Sequence, residues 1–97
     1  MIIELKKFGT TLMSRPAGKE AWAAFQPTLE PVLEDEDVIL DFAGVITFSP
    51  SWGDEFITPL QERYKERLIL KNTANPSVRE TLKLLEEISQ KSFKKAD

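Results

Sequence analysis

The stretch that decides the fold is VILDFAGVITFSPSWGDE, residues 38–55. Four of its first five residues are apolar, which predicts a strand covered on both faces, the usual state of a parallel strand in an α/β sheet. Its second half, Ser49-Pro50-Ser51 followed by two acids, has the residue types of a capped helix N-terminus. Small α/β proteins often place recognition sites in such a loop beyond a central strand. We therefore expect the functional surface at residues 44–56.

Strand and helix patterns alternate on both sides of this stretch. Residues 1–8 predict an edge strand, residues 10–13 a short extended segment, and residues 67–71 a short buried strand. The first helix is expected to begin near residue 17 and to be kinked or divided by Pro27 and Pro31, which lack an amide donor. Its apolar stripe, expected to cover the sheet, comprises Trp22, Phe25, Leu29, Val32 and Leu33.

Two further helices follow from apolar spacing and start signals. Residues 52–64 carry an aromatic or aliphatic side chain every fourth position, with a bend expected at Pro59. Asn75-Pro76 is a cap followed by a first-turn proline and predicts a third helix. The chain is thus predicted to be one α/β domain over residues 1–97, with a mixed sheet of about four strands and about three helices packed mainly on one face. Residues 91–97 are expected to form a basic C-terminal tail.

The composition excludes several classes of function. The chain has no cysteine and no histidine, so thiol chemistry, Ser-His-Asp triads and classical zinc sites are excluded. With 13 basic and 16 acidic residues and a net charge of −3, nucleic acid is not an expected partner. No apolar run approaches the roughly 18 residues of a membrane helix, and no secretory leader is recognisable. We therefore expect a cytoplasmic protein without membrane contact, metal or cofactor.

Catalysis would have to depend on carboxylates, lysine or tyrosine. The enzyme alternative is a magnesium site built from Asp41, Asp54 and Glu55, which requires at least two of these acids to converge. The competing interpretation of Asp41 is a carboxylate that accepts backbone or side-chain donors at the end of the central strand. We expect a protein that is not an enzyme.

The central stretch resembles the signature of STAS domains, the sulfate-transporter and anti-sigma-factor-antagonist modules, in Leu40-Asp41-Phe42-Ala43-Gly44-Val45 and Ser49-Pro50-Ser51. With Phe8-Gly9, Leu12, Ser14-Arg15 and Asp54-Glu55-Phe56, the chain is similar to a bacterial and phage group of STAS-like domains of unassigned function. The resemblance implies a regulatory protein-binding module whose partner is a kinase-like ATP-binding protein or a signalling protein that it controls. In the antagonists a serine at the start of this helix is phosphorylated.

A gap-free alignment on Leu40-Asp41 and Gly44-Val45 puts Pro50 at the position of that serine. Ser51 and Ser49 flank Pro50 and are the candidate phosphoacceptors. Ser51 has a structural alternative, since it can cap the helix with Asp54 three residues on.

The candidate partner-binding residues surround this helix start: Phe48, Trp52, Asp54, Glu55 and Arg15. Large aromatic side chains are frequent binding anchors, but Phe48 and Trp52 would also suit the core. Arg15 can clamp a carboxylate or phosphate, or form an ordinary surface ion pair. A structural or adaptor domain without a phosphoswitch, and a small-ligand-binding domain, are the alternative functions. The sequence leaves the oligomeric state open.

Overall fold

Six strands and three helices make up the part of the chain that the computed structural model describes, residues 1–32 and 35–96. In chain order the strands are β1 (Ile2–Glu4), β2 (Thr11–Leu12), β3 (Val38–Asp41), β4 (Thr47–Phe48), β5 (Leu68–Lys71) and β6 (Lys94–Lys95). The helices are α1 (Arg15–Leu29), α2 (Pro50–Tyr64) and α3 (Pro76–Ser89), and short 3₁₀ turns occupy Leu5–Phe8 and Lys65–Arg67.

A four-stranded sheet in the order β1-β3-β5-β6 forms the centre of the fold, and each of its strand pairs is parallel. One row of its register joins Ile3, Leu40 and Leu70, which are all buried. The neighbouring row joins residues 2, 39 and 69, which are half-buried or exposed. The core therefore lies against one face, because side chains alternate across a strand. The predicted four strands and three helices are confirmed, although the strands are parallel where mixed directions were expected.

A separate two-stranded sheet joins β2 to β4, with Thr11 opposite Thr47 and Leu12 opposite Phe48. The extended segment predicted at residues 10–13 is thus confirmed, but it lies outside the central sheet. The strand predicted at residues 1–8 is an edge strand that stops at Glu4, where the first 3₁₀ turn begins. The small sheet sets where the first two helices start, because α1 follows β2 and α2 follows β4 directly.

Each helix has a proline among its first two residues, after a polar cap. Ser14, Ser49 and Asn75 are the caps, and each accepts a hydrogen bond from a backbone N–H of the first turn. The interior prolines break neither α1 nor α2: α1 continues past Pro27 to Leu29, and α2 continues past Pro59 to Tyr64. Packing of the helices against their neighbours outweighs the lost hydrogen bonds. Helix α1 is not divided at Pro27 and ends before Pro31, so of the two expected forms, a kinked helix or two short helices, the second is wrong.

Helix α1 packs chiefly on α2, whereas the sequence predicted that it covers the sheet. The contact is close at Gly18, where a Cβ atom would lie 2.7 Å from the Trp52 carbonyl oxygen. Glycine is required there because any side chain would force the two backbones apart. Leu33, predicted to extend the apolar stripe of α1, lies outside the described residues.

The C-terminal residues form an ordered strand, so the prediction of a basic tail over residues 91–97 is incomplete. Strand β6 pairs with β5, and Phe93 is buried in the core. Glu86 of α3 holds this segment by accepting hydrogen bonds from the Phe93 backbone N–H (2.8 Å) and from Lys95 Nζ (3.3 Å). Asp97, the last residue of the predicted tail, lies outside the described residues.

Candidate functional site

Helices α1 and α2 begin side by side at one edge of the small sheet. Because β2 and β4 are parallel, the helices that follow them start at the same edge. Helix α3 joins this region through its first two turns: Ser77 Oγ accepts a hydrogen bond from the Phe48 N–H (2.9 Å), and Thr81 Oγ1 donates to the Phe48 carbonyl. The start of α2 is therefore fixed from both sides by neighbouring elements.

Ser49 is the cap of α2, and its hydroxyl makes two hydrogen bonds. Its Oγ accepts from the Trp52 backbone N–H at 3.2 Å and donates to the Met13 carbonyl, which ties α2 to the segment before α1. The prediction that Ser51 caps the helix together with Asp54 is wrong. Pro50 suits the first helical position because its φ is preset and its missing N–H is not needed there, so the cap falls on the residue before it.

Ser51 lies in the first turn of α2 and is half-buried. Its hydroxyl makes no hydrogen bond to any residue that the structure describes. The two candidate phosphoacceptors thus differ: the Ser49 hydroxyl is fully engaged in holding the helix start, whereas the Ser51 hydroxyl is free of that role. Modification of either serine remains a prediction.

Phe48 and Trp52 lie in the core, with only 1% and 2% of their surfaces exposed. Trp52 stacks on Phe56 with ring centroids 5.1 Å apart. It meets the Phe48 ring in a T-shaped contact with centroids 5.9 Å apart. The prediction that these two aromatic side chains contact a partner is therefore wrong for the fold as it stands. The physical reason is their position, since both point inward from β4 and α2, where burial of an aromatic ring is most favourable.

Arg15, Asp54 and Glu55 are brought together on the surface where α1 and α2 meet. Arg15 Nη1 lies 3.0 Å from Asp54 Oδ2 and 2.9 Å from Glu55 Oε1. The guanidinium of Arg15, together with the Thr58 hydroxyl, lowers the pKa of Asp54. Hydrogen bonds to Glu55 and then Asp54 raise the pKa of Arg15. Arg15 therefore binds carboxylates of its own chain, and its predicted contact with a partner stays a prediction.

Asp41 lies at the carboxyl end of β3 and is hydrogen-bonded as its structural interpretation predicts. Its Oδ1 accepts from Asn72 Nδ2 at 2.7 Å and from the Ala43 backbone N–H at 2.9 Å. These bonds, Asn72 first, lower the pKa of Asp41. Asp54 and Glu55 converge instead on Arg15, and the described residues contain no group of three acids suited to a metal ion. The geometry lends no support to the magnesium alternative.

Met13 and Ile46 are exposed apolar residues at opposite ends of the small sheet, Met13 after β2 beside the helix starts and Ile46 before β4, and the sequence did not single them out. The Met13 carbonyl is held by Ser49, and the Ile46 N–H donates to the Thr10 carbonyl at 2.8 Å. Asn75, the cap of α3, also donates to the Ile46 carbonyl. Their backbones are thus fixed while their side chains face solvent. Each of the two residues directly flanks a strand of the small sheet. This position is the sequence feature by which they could have been found.

A cavity of about 290 Å³ lies beside Trp52. Apart from Glu20, its lining is apolar: Phe8, Ala17, Ala21, Ala24 and Trp52. This is the place where the small-ligand alternative would apply, but a specific ligand needs several placed polar groups, and Glu20 alone supplies one here.

Comparison with known proteins identifies one family. A family model described as a STAS-like domain of unknown function matches residues 25–78, which is more than half of the chain and includes β3, β4 and α2. No curated protein and no solved structure matches the sequence. Of the described helices, none has the length and hydrophobicity to cross a membrane.

Proposed function

The chain belongs to the STAS-like domain family, and from this premise we propose that it is a non-catalytic, cytoplasmic protein-binding module with a regulatory role. Its contact surface is the start of α2 within residues 44–56, together with Arg15 and Met13. The partner is a protein, and by resemblance to the anti-sigma-factor antagonists it is a kinase-like ATP-binding regulator.

The contrast between Ser49 and Ser51 is the observation that supports this proposal best. Phosphorylation of Ser49 would remove the hydroxyl proton that bonds the Met13 carbonyl, and would therefore loosen the helix start. A phosphate on Ser51 would break no hydrogen bond within the described residues, and it would lie in the first turn, where backbone N–H groups favour negative charge. Ser51 is thus the residue we propose as the phosphoacceptor.

The nearby charges give such a modification an effect on binding. Asp54 and Glu55 lie three and four positions after Ser51, so a phosphate there would repel both carboxylates. It would also compete with them for Arg15, which binds both at about 3 Å. Phosphorylation would therefore rearrange the charges of the contact surface and release a partner that had docked on the unmodified form.

Affinity capture from extract of the native cells tests the proposal. The baits are the wild-type chain, Ser51→Asp and Thr28→Asp, the last an exposed hydroxyl residue near the end of α1, away from Arg15, as the matched control. We expect wild type and Thr28→Asp to retain the same ATP-binding protein and Ser51→Asp to lose it. Direct binding is then confirmed with the purified partner.

Other outcomes have distinct meanings. Equal capture by all three baits would show an adaptor without a phosphoswitch, and no specific partner for any of them would overturn the protein-binding function itself. Phosphopeptide mapping of the native protein is the second readout, in which we expect phosphate on Ser51 and not on Ser49.

A further inference from the structure

A groove runs along the seam between α2 and α3, and we call it the α2–α3 groove. Two cavities, of about 410 and 230 Å³, follow one another along it. From α2 the lining includes Pro50, Asp54, Thr58 and Glu62, which recur every fourth residue and so form one face of the helix. The groove extends over about three turns, or about 18 Å at 1.5 Å per residue.

The α3 side of the groove includes two uncovered apolar side chains. Leu84 and Ile88 border the two cavities, lie one turn apart, and are two of the five large apolar side chains that are exposed among the described residues. Single exposed apolar residues are ordinary on protein surfaces. Two that are adjacent on one helix face and border a groove provide a ridge onto which another helix can pack.

The α2 side of the groove carries an unpartnered acceptor. Gln61 Oε1 is buried, lines the second cavity, and has no hydrogen-bond partner among the described residues. A buried acceptor without a donor is unfavourable. Less than 1 Å² of this oxygen is accessible, so a donor placed in the cavity reaches it only if the Gln61 side chain turns toward the groove.

The rim of the groove is predominantly acidic. Glu62, Glu80 and Glu87 line the cavities and form no ion pair with any described residue, while the basic residues along the rim are Lys83 and Lys91. Asp54 adds a further carboxylate, already bound to Arg15. The excess of carboxylates favours a cationic occupant.

We propose that the α2–α3 groove binds one basic amphipathic helix of a partner protein. Its apolar face packs on Leu84 and Ile88, and its lysine or arginine side chains meet the acidic rim. A helix that binds in a groove presents its anchors at positions i, i+3, i+4 and i+7. Leu84 and Ile88 on α3 have the same i, i+4 spacing, so such anchors can pack beside them. The inference rests on the proposed protein-binding function and assigns a second part of the same surface, since Pro50 and Asp54 belong to both.

Two synthetic peptides of about four helical turns test the groove directly. One carries leucine and lysine at helical spacing, the other has glutamate at each lysine position, and both are fluorescently labelled for anisotropy titrations. Binding is measured to the wild-type chain, to Ile88→Ser and to Ile2→Ser. Ile2 is the matched control because it is 64% exposed, against 67% for Ile88, and lies on the sheet, so neither change disturbs the core.

We expect the lysine peptide to bind the wild-type chain and the glutamate peptide to bind at least about tenfold more weakly. Ile88→Ser should weaken binding of the lysine peptide about tenfold, as expected for the loss of one buried aliphatic side chain. Ile2→Ser should change it by less than about twofold. Equal weakening by both serine variants, equal binding of both peptides, or no binding of either would overturn the groove proposal.

The two proposals fail in different experiments. If Ile88→Ser retains the cellular partner that Ser51→Asp loses, the groove is not used and the protein-binding function stands. If the wild-type chain captures no cellular partner although the lysine peptide binds as expected, the protein-binding function has failed while the chemistry of the groove is correct.

Discussion

The buried and exposed sides of the start of α2 differ in what they constrain. On the buried side, Phe48, Trp52 and Phe56 form a continuous aromatic contact, so changes there act on the stability of the fold. On the exposed side, Asp54 and Glu55 pair with Arg15, so changes there act on charge. One short segment therefore carries both core aromatic side chains and surface charges, and single substitutions can separate their effects.

Trp52→Ala should have the largest effect, on the buried side. Removing a buried tryptophan leaves a cavity and typically costs about 3–5 kcal/mol, and in a domain of this size such a loss is a large part of the total stability. Trp22→Ala is the control, because Trp22 is only half-buried on α1. Urea denaturation measures both free energies of unfolding. A smaller loss for Trp52→Ala than for Trp22→Ala would contradict the assignment of Trp52 to the core.

Ser49→Ala and Ser51→Ala separate the cap from the exposed side. Ser49→Ala removes an N-cap oxygen and a donor to the Met13 carbonyl, so we expect a loss of about 1–2 kcal/mol. Ser51→Ala removes no hydrogen bond within the described residues and should change stability by less than about 0.5 kcal/mol. Thermal unfolding of the two variants gives the comparison, and the reverse ranking would restore Ser51 as the cap.

Asp54→Asn should have a small effect, and one that depends on pH. The pKa of Asp54 is lowered in the folded chain by Arg15 and Thr58, so its contribution is complete above the unfolded value of about 3.9 and is lost as the pH falls through the folded pKa. At neutral pH we expect a loss below about 1 kcal/mol, because Asp54 is exposed.

Denaturation of wild type and Asp54→Asn at several pH values measures this difference, which should shrink as the pH falls below about 4. Added salt should reduce it as well. Glu20→Gln, on an exposed acid of α1 without an ion pair to any described residue, is the control and should show neither dependence. A difference that grows in acid would contradict the ion pair.

The sequence predicted the elements well where a local signal was strong. The Asn75-Pro76 start of α3, the strand after residue 67 and the capped helix after β4 all agree with the structure. Each rests on residues within one turn or one strand, which a single sequence displays directly.

The sequence failed where distant residues decide the outcome. Ser49 and Ser51 are both suitable caps; Pro50 at the first helical position favours Ser49, and the Met13 carbonyl, 36 residues away, adds a hydrogen bond that a single sequence does not display. Phe48 and Trp52 could not be assigned to core or surface before α1 and α3 were placed around them. Strand β6 has no apolar pattern of its own, since its residues are Lys94 and Lys95, and it is fixed by Phe93 and Glu86 instead.

The parallel order β1-β3-β5-β6 also has a kinetic consequence. No two neighbouring strands are joined by a tight turn, since residue 2 pairs with 39, residue 38 with 68, and residue 69 with 94. Every ladder must therefore close a long loop before its first hydrogen bond forms, and such non-local pairing slows folding. The helices, whose contacts are local, are expected to form first and to supply the surface on which the strands assemble. We therefore expect the sheet to be completed after the helices, and its unpaired strands to be open to misassembly until then.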